Sequence, residues 1–274
     1  MPPDAEAVLD EARRWWTTSV IDTAPDYIRF RGYPIEQLIG RLSFPGMILL
    51  MVKGELPDAR AAALVEAVML GMIDHGPHAP SIATARMAAT CGVPMNGIIA
   101  SAIGLAGDIH GGVGQELMAI LYRIAASPDI AAEAEVVVAE KKAAGGFVPG
   151  FGHRWHKDLD PRIPRLMQLI DAAVDDGVIS GKHLAAARAL EMAIAAGRKR
   201  IPMNVDGAEA VILCELGLDP ELGRGIFVLA RAAGCMVHAW EEMKQGGRLK
   251  GPMAKSILPT YAGPAPRDVP REGP

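Results

Sequence analysis

An all-α fold is predicted by three features of this sequence. Only 5% of its residues are aromatic while alanine, leucine and methionine abound, a composition that suits closely packed helices better than sheets. Apolar residues recur at helical spacing in segment after segment, and no run of alternating residues demands a strand. With 274 residues, 50% of them hydrophobic, the chain can bury a core as one large domain or two smaller ones.

Taken in order, Ala5–Trp16 reads as an amphipathic helix and Asp22–Arg31 as an extended polar link. Pro34 marks a helix start, with Ile35, Leu38 and Ile39 on one face. A second apolar helix, Pro45–Val52, is closed by Lys53-Gly54, and Asp58 caps a third, Ala59–Ile73. Apolar residues crowd more than half of that third helix, which predicts burial or a subunit contact; Asn96–Leu105, rich in small residues, is expected at the same contact. Ser81 starts a small-residue helix, and Met95–Leu105, Gln115–Ala126, Ile130–Ala144, Ile163–Val174 and Lys182–Ala196 follow, the last ending at Gly197–Arg200. Asp206 reads as the cap of the next helix, and Asp219 and Glu221 open the last long one, Gly225–Lys244. The Pro- and Gly-rich tail from Gly247 is expected to wrap a neighbour or end disordered. No repeat or Gly/Ser linker appears, so a second domain would have to be inserted within the first.

Several classes are excluded by the totals. A net charge of −4 offers no basic field for nucleic acid. Cys91, Cys214 and Cys235 lie far apart, which fits a reducing compartment, with the cytoplasm as the default, and neither a zinc motif nor a disulfide framework. The N-terminus lacks the pattern of a leader, and no apolar run is long enough for a membrane span.

Chemistry concentrates in Gly145–Arg162, GGFVPGFGHRWHKDLDPR. Its glycines and Pro149 prevent regular structure and expose backbone amides, His153 follows directly, and Asp160-Pro161 reads as a cap and first turn that place Arg162 at a helix start. His110 lies in the glycine-rich GDIHGG, where a ligand can approach its ring. His75 and His78 flank Pro77 with only Asp74 nearby, so no metal site is predicted. Asp206 in MNVDG has the apolar collar that tunes a carboxylate as a general base. Arg231, inside FVLARAAGCMV, must either pair with a core carboxylate or reach an anionic ligand. With no thiol nucleophile, metal motif or P-loop, the remaining chemistry is acid-base work on a carboxylate-bearing substrate.

RGYPIEQLIGRLSF with GELP, DHGPHAPS, GDIHGG, PGFGHRWHKDLDPR, MNVDG and GIFVLARAAG, in this order, resemble the citrate synthase superfamily across nearly the whole chain, and within it citryl-CoA lyase modules such as the C-terminal part of ATP-citrate lyase. The resemblance implies a large helical domain, 1–110 with 226–274, around a small helical domain, 111–225, and a homodimer or a tetramer of such dimers. It implies that His110 holds the thioester oxygen and that Asp206 is the base for the acetyl methyl group. His153 would polarise the keto carbon in synthesis or take the tertiary hydroxyl proton in cleavage. His75, Arg162 and Arg231 would bind carboxylates, Ser81 would stand beside the acyl site, and Phe147, Val148, Pro149, Gly150, Phe151 and Gly152 would receive the adenine end of coenzyme A, a substrate or product and no permanent cofactor.

Two departures matter. The chain is shorter than ordinary citrate synthases, the loss falling between Pro57 and His75, and Gly251-Pro252 stands where those enzymes carry Arg-Pro, an arginine reaching across the dimer to a carboxylate. Losing one charge-assisted pair costs about 1.5 to 3 kcal/mol. Unless Arg248 or Lys250 replaces it, this favours handling an acyl-CoA thioester over trapping free oxaloacetate. The expected function is therefore citryl-CoA cleavage to acetyl-CoA and oxaloacetate or a close 2-oxoacid. The alternatives are a short citrate synthase running the reverse condensation and a non-catalytic acyl-CoA-binding subunit.

Overall fold

The computed structural model describes residues 4–156, 158–196, 200–254 and 256–269. The expected helix end at 197–199 and the last residues of the tail, 270–274, lie outside the described residues.

The polar link is extended but doubles back. Strands β1 (Ile21–Ala24), β2 (Tyr27–Phe30) and β3 (Tyr33–Pro34) form a small antiparallel meander, with Ile21 opposite Phe30 and Phe30 opposite Tyr33. Strands this short give no alternation to read, so only the turn at Pro25-Asp26 could have signalled the hairpin. Arg31 leaves the sheet and donates from Nε to the Met51 carbonyl at 2.8 Å.

The other described elements are helices: α1 (Ala5–Trp15), α2 (Ile35–Leu38), α3 (Phe44–Lys53), α4 (Ala59–Met72), α5 (Pro80–Thr90), α6 (Met95–Ile103), α7 (Val113–Ala126), α8 (Ile130–Ala143), α9 (Ile163–Asp175), α10 (Lys182–Ala195), α11 (Val205–Glu215) and α12 (Pro220–Gln245). The predicted caps at the start of the chain hold: Gly54 closes α3 with φ 88°, and Asp58 accepts the Arg60 N–H at the head of α4. Helix α12 opens as expected at Asp219 and Glu221, with Asp219 at the N-cap and Pro220 in the first turn. No helix is long and apolar enough to cross a membrane among the described residues.

Burial rather than exposure explains α4. Leu64, Val65, Val68 and Met72 pack against α3, α9, α11 and α12 of the same chain, and Leu70 remains exposed. Helix α11 is buried from Gly207 to Cys214, Glu209 included among otherwise small and apolar residues, and is surrounded by α4, α7, α9, α10 and α12. A smaller cluster joins Ile82 and Ala85 of α5 and Ile98 of α6 to Cys235 and Ala239 of α12. Alanines in that cluster let the long α12 lie close to α5 and α6.

The C-terminal end of α11 is anchored by Glu215. Its buried carboxylate accepts the N–H groups of Ser180, Gly181, His183 and Leu184 and the Ser180 hydroxyl, which fixes the start of α10. Burial alone would raise its pKa, but these donors outweigh it and hold the group at about 2, against an ordinary 4.5. Because the folded pKa lies below the unfolded one, the contribution is complete above about pH 4.5 and is lost as pH falls towards 2. Glu215→Gln should lower the unfolding free energy by up to about 3 kcal/mol at pH 7 and by far less near pH 2.5, as read from urea melts at the two pH values.

Candidate active site

Two loops distant in sequence are joined by Asn204. Its backbone N–H donates to the Gly150 carbonyl (3.0 Å), its Nδ2 donates to the Gly152 carbonyl (2.6 Å), and the Gly152 N–H donates to Pro202 (2.8 Å). The other end of the same amide, Oδ1, accepts the N–H groups of Asp206 (2.9 Å) and Gly207 (3.2 Å). Asn204, not Asp206, is therefore the N-cap of α11; Asp206 sits in the first turn with its carboxylate released from capping. Gly150 makes the junction possible: its φ is 79°, and a Cβ there would lie 2.4 Å from Leu117 Cδ2. His153 and Asp206 are thereby held on adjoining segments.

A cavity of about 240 Å³ opens between these segments and the α4–α5 and α6–α7 turns. His75, His110, His153, Arg162, Asp206 and Arg231 all line it. Ser81 lies buried behind the rim, with Oγ 3.0 Å from His110 Nε2 and accepting from Arg231 Nη1 at 3.3 Å. His78 and Trp155 also line the cavity, their rings 5.0 Å apart and tilted by 51°. Trp155, Asn204 and Phe227 stand inside the motifs PGFGHRWHKDLDPR, MNVDG and GIFVLARAAG, but nothing in the sequence gives them a role of their own in the site.

The expected coenzyme segment divides. Phe147, Val148 and Phe151 line a second, apolar cavity of about 400 Å³ with Lys141 and Lys142 at its edge. Gly150 and Gly152 instead spend backbone groups on Asn204 and Pro202, and Pro149 lines neither cavity.

The cleft holds positive charge that is only partly balanced. Arg231 is only 5% exposed; it donates from Nε to the Met72 carbonyl (3.1 Å) and sits over the Phe227 ring, and no carboxylate contacts it among the described residues. The second of its two expected uses, reaching an anionic ligand, is thus the one left open by the fold. Arg162 is gripped by both oxygens of buried Asp160 (2.9 and 2.7 Å) and by the Gly71 carbonyl (2.8 Å). It occupies the N-cap of α9, so Asp160-Pro161 precede the helix instead of starting it.

These surroundings set protonation. Burial pushes the Asp206 carboxyl above the usual carboxylate range, opposed by Arg162 and Arg231. Burial lowers His110, aided by Arg231, and lowers His75, aided by Arg162. His153 is lowered by burial and then by His156, so neutral imidazoles meet a carboxyl poised to exchange a proton. His153 Nδ1 accepts the N–H groups of Trp155 (3.0 Å) and His156 (3.1 Å), which leaves its proton on Nε2. The Ser81 hydroxyl, already accepting from Arg231, is best satisfied by donating to His110 Nε2, which puts the His110 proton on Nδ1.

His75, His153 and His156 each bring a ring nitrogen within 4.8 Å of the others, a spacing a metal ion could draw together. The His153 tautomer opposes this, because its lone pair is engaged by two amides and its other nitrogen carries the proton.

Residues 57–253 match the family model for the citrate synthase C-terminal domain. The chain belongs to the citrate synthase family. It is 29% identical over 236 residues to citrate synthase of Acidithiobacillus ferridurans, covering 83% of this chain and 58% of that protein. The Haloferax volcanii citrate synthase is 27% identical over 254 residues, 92% of this chain and 65% of that one. The chain thus spans about half to two thirds of the length of these curated family members. Among solved structures, citryl-CoA lyase from Hydrogenobacter thermophilus superposes with a TM-score of 0.82 at 32% identity, covering 93% of this chain and 98% of that one. Citrate synthase from Thermoplasma acidophilum, in complex with carboxymethyl coenzyme A and oxaloacetate, shares the fold at a TM-score of 0.64 and 22% identity, over 82% of this chain and 59% of that one.

Asn204→Ala removes the helix cap and the side-chain bond to the Gly152 carbonyl together, leaving the backbone bonds between the loops in place. It should lower stability by about 1 to 2 kcal/mol in a thermal or urea melt. Turnover should fall further than in a variant equally destabilised at a site far from the cleft.

Proposed function

We propose that this chain cleaves a citryl-CoA-like thioester to acetyl-CoA and oxaloacetate or a close 2-oxoacid. One observation carries the reading: Asp206, with its raised pKa, shares a cavity with neutral His110 and with the buried, carboxylate-free Arg231. The near end-to-end match to a citryl-CoA lyase supports cleavage over condensation.

In cleavage, the tertiary hydroxyl gives its proton to His153, and the bond from the carbinol carbon to the α-carbon of the thioester breaks. The carbinol carbon becomes the ketone, and the electron pair of the broken bond moves into the thioester as an enolate. The His110 Nδ1–H is the donor available to that oxygen. Asp206, protonated by virtue of its burial, delivers its proton to the α-carbon and completes the acetyl methyl group. Arg162, Arg231 and His75 hold the carboxylates, and the apolar cavity beside Phe147 and Phe151 takes the adenine end of coenzyme A.

Condensation is a second reading with its own support. With its proton on Nε2, His153 is ready to donate to a keto oxygen, whereas accepting the hydroxyl proton there requires the Trp155 and His156 amides to release Nδ1. Purified protein supplied with citryl-CoA, and separately with oxaloacetate plus acetyl-CoA, tests the direction. Turnover in neither assay would favour the non-catalytic acyl-CoA-binding alternative. In the same preparations, Asp206→Asn should abolish exchange of acetyl-CoA methyl protons with solvent while coenzyme A still binds; retained exchange removes Asp206 from the mechanism.

We further propose the two-body division of the chain at 110 and 225, and its pairing as a homodimer or a tetramer of dimers. Leu9, Trp15 and Trp16 at α1 face solvent, the kind of apolar surface a partner covers. Lys250 is held by both oxygens of buried Glu242 (2.7 and 2.9 Å), which leaves Arg248 as the freer candidate for the role of the missing arginine. Gly251 has no positive φ, and a Cβ there would meet only the Met253 carbonyl at 3.8 Å, so the site accepts a side chain. Gly251→Arg should therefore tighten oxaloacetate about 10- to 100-fold, measured at equilibrium beside Gly251→Ala. No gain over the alanine variant would mean that the carboxylate is already bound or absent from the substrate.

A further inference from the structure

One stripe of α12 fixes the segment that carries His75, at three successive points. Arg231 Nε donates to the Met72 carbonyl at 3.1 Å. One turn on, Gly234 comes so close that a Cβ would lie 2.1 Å from the Ile73 carbonyl oxygen. At the next turn, His238 Nε2 meets Asp74 Oδ2 at 3.0 Å, and Asp74 Oδ1 accepts the N–H groups of His75 (2.8 Å) and Gly76 (3.0 Å). Positions 231, 234 and 238 share one helix face, so a single rigid element sets the register of residues 72–76.

The far side of His238 fixes its tautomer. Arg86 Nη1 lies 3.0 Å from Nδ1, and a guanidinium can only donate, so Nδ1 accepts and Nε2 carries the proton that Asp74 receives. Arg86 is held in turn by Glu241 (2.5 Å), Glu242 (2.6 Å) and Gln245 (3.0 Å), and Glu242 takes Lys250 from the segment after α12. A continuous run of hydrogen bonds thus ends on the backbone of His75. The His75 ring makes only edge contacts, to His153 at 5.2 Å and His156 at 5.7 Å, and no hydrogen bond to it is found among the described residues. Its place in the cleft depends on its backbone.

We infer that His238 and Arg86 are positioning residues for His75, acting through Asp74, although neither lines the cavity. The inference rests on the reading of the cleft as a carboxylate site and adds the device that aims one of its binding groups. Displacing such a group by about 1 Å can cost two decades of rate, so the device matters even though it touches no substrate.

His238→Phe keeps a ring and removes both nitrogens; His238→Gln restores an N–H for Asp74. Histidine-selective ¹⁵N NMR of the ligand-free proteins, with His75 assigned from His75→Ala, should show the His75 ring signals shifted or broadened in His238→Phe, those of His110 unmoved, and recovery in His238→Gln. Calorimetry should show oxaloacetate binding about 10-fold weaker in His238→Phe, coenzyme A binding unchanged, and most of the loss recovered in His238→Gln. Unmoved His75 signals in His238→Phe would overturn the inference, as would equal loss of both ligands. If the parent protein binds no oxaloacetate, the carboxylate reading of the cleft fails, while the NMR signals still decide whether His238 positions His75.

Discussion

Asn204 holds together what would otherwise be two separate loops. A single side-chain amide uses its acceptor to cap α11 and its donor to seize the Gly152 carbonyl, while its own backbone N–H takes Gly150. Because Asn204 does the capping, Asp206 points its carboxylate at the cleft without leaving the helix N-terminus unsatisfied. Because the Gly150–Gly152 backbone is fixed, His153 follows in a turn tight enough for two amides to reach its Nδ1. Helix start and loop position are thus tied at one residue, with the backbone bond from Gly152 to Pro202 beside it.

Around this junction the fold leaves positive charge incompletely balanced. Arg162 has Asp160 as a full partner, but Arg231 has backbone, a serine hydroxyl and an aromatic face. A buried guanidinium without a carboxylate is costly in isolation and becomes favourable when an anion enters. Burial lowers His75 and His110 and raises Asp206, and the arginine field adds to the first shift and moderates the second.

Small residues decide how closely the framework can approach the cleft. Gly111 lets the ring of Phe227 pack against the turn after His110, where a Cβ would fall 2.3 Å from that ring. Gly234 does the same for α12 against the segment before His75. Rigid helices can aim loop histidines only if backbone meets backbone, and glycine is the residue that permits it.

Sequence alone determined the helical class, most helix boundaries, and most of the polar residues that line the cleft. Helical periodicity and caps are local signals, and His110, His153, Asp206, Arg162 and Arg231 each stand beside glycine, proline or an apolar run that marks them. It missed the meander at residues 21–34, whose strands are too short to show alternation, and it gave Asp206 a capping role that belongs to Asn204. Tertiary structure decided the rest. Whether Arg231 pairs with a core carboxylate and how His238 reaches the segment of His75 both depend on contacts between residues more than a hundred positions apart. Such contacts arise only when helices pack, and local sequence pattern carries no record of them.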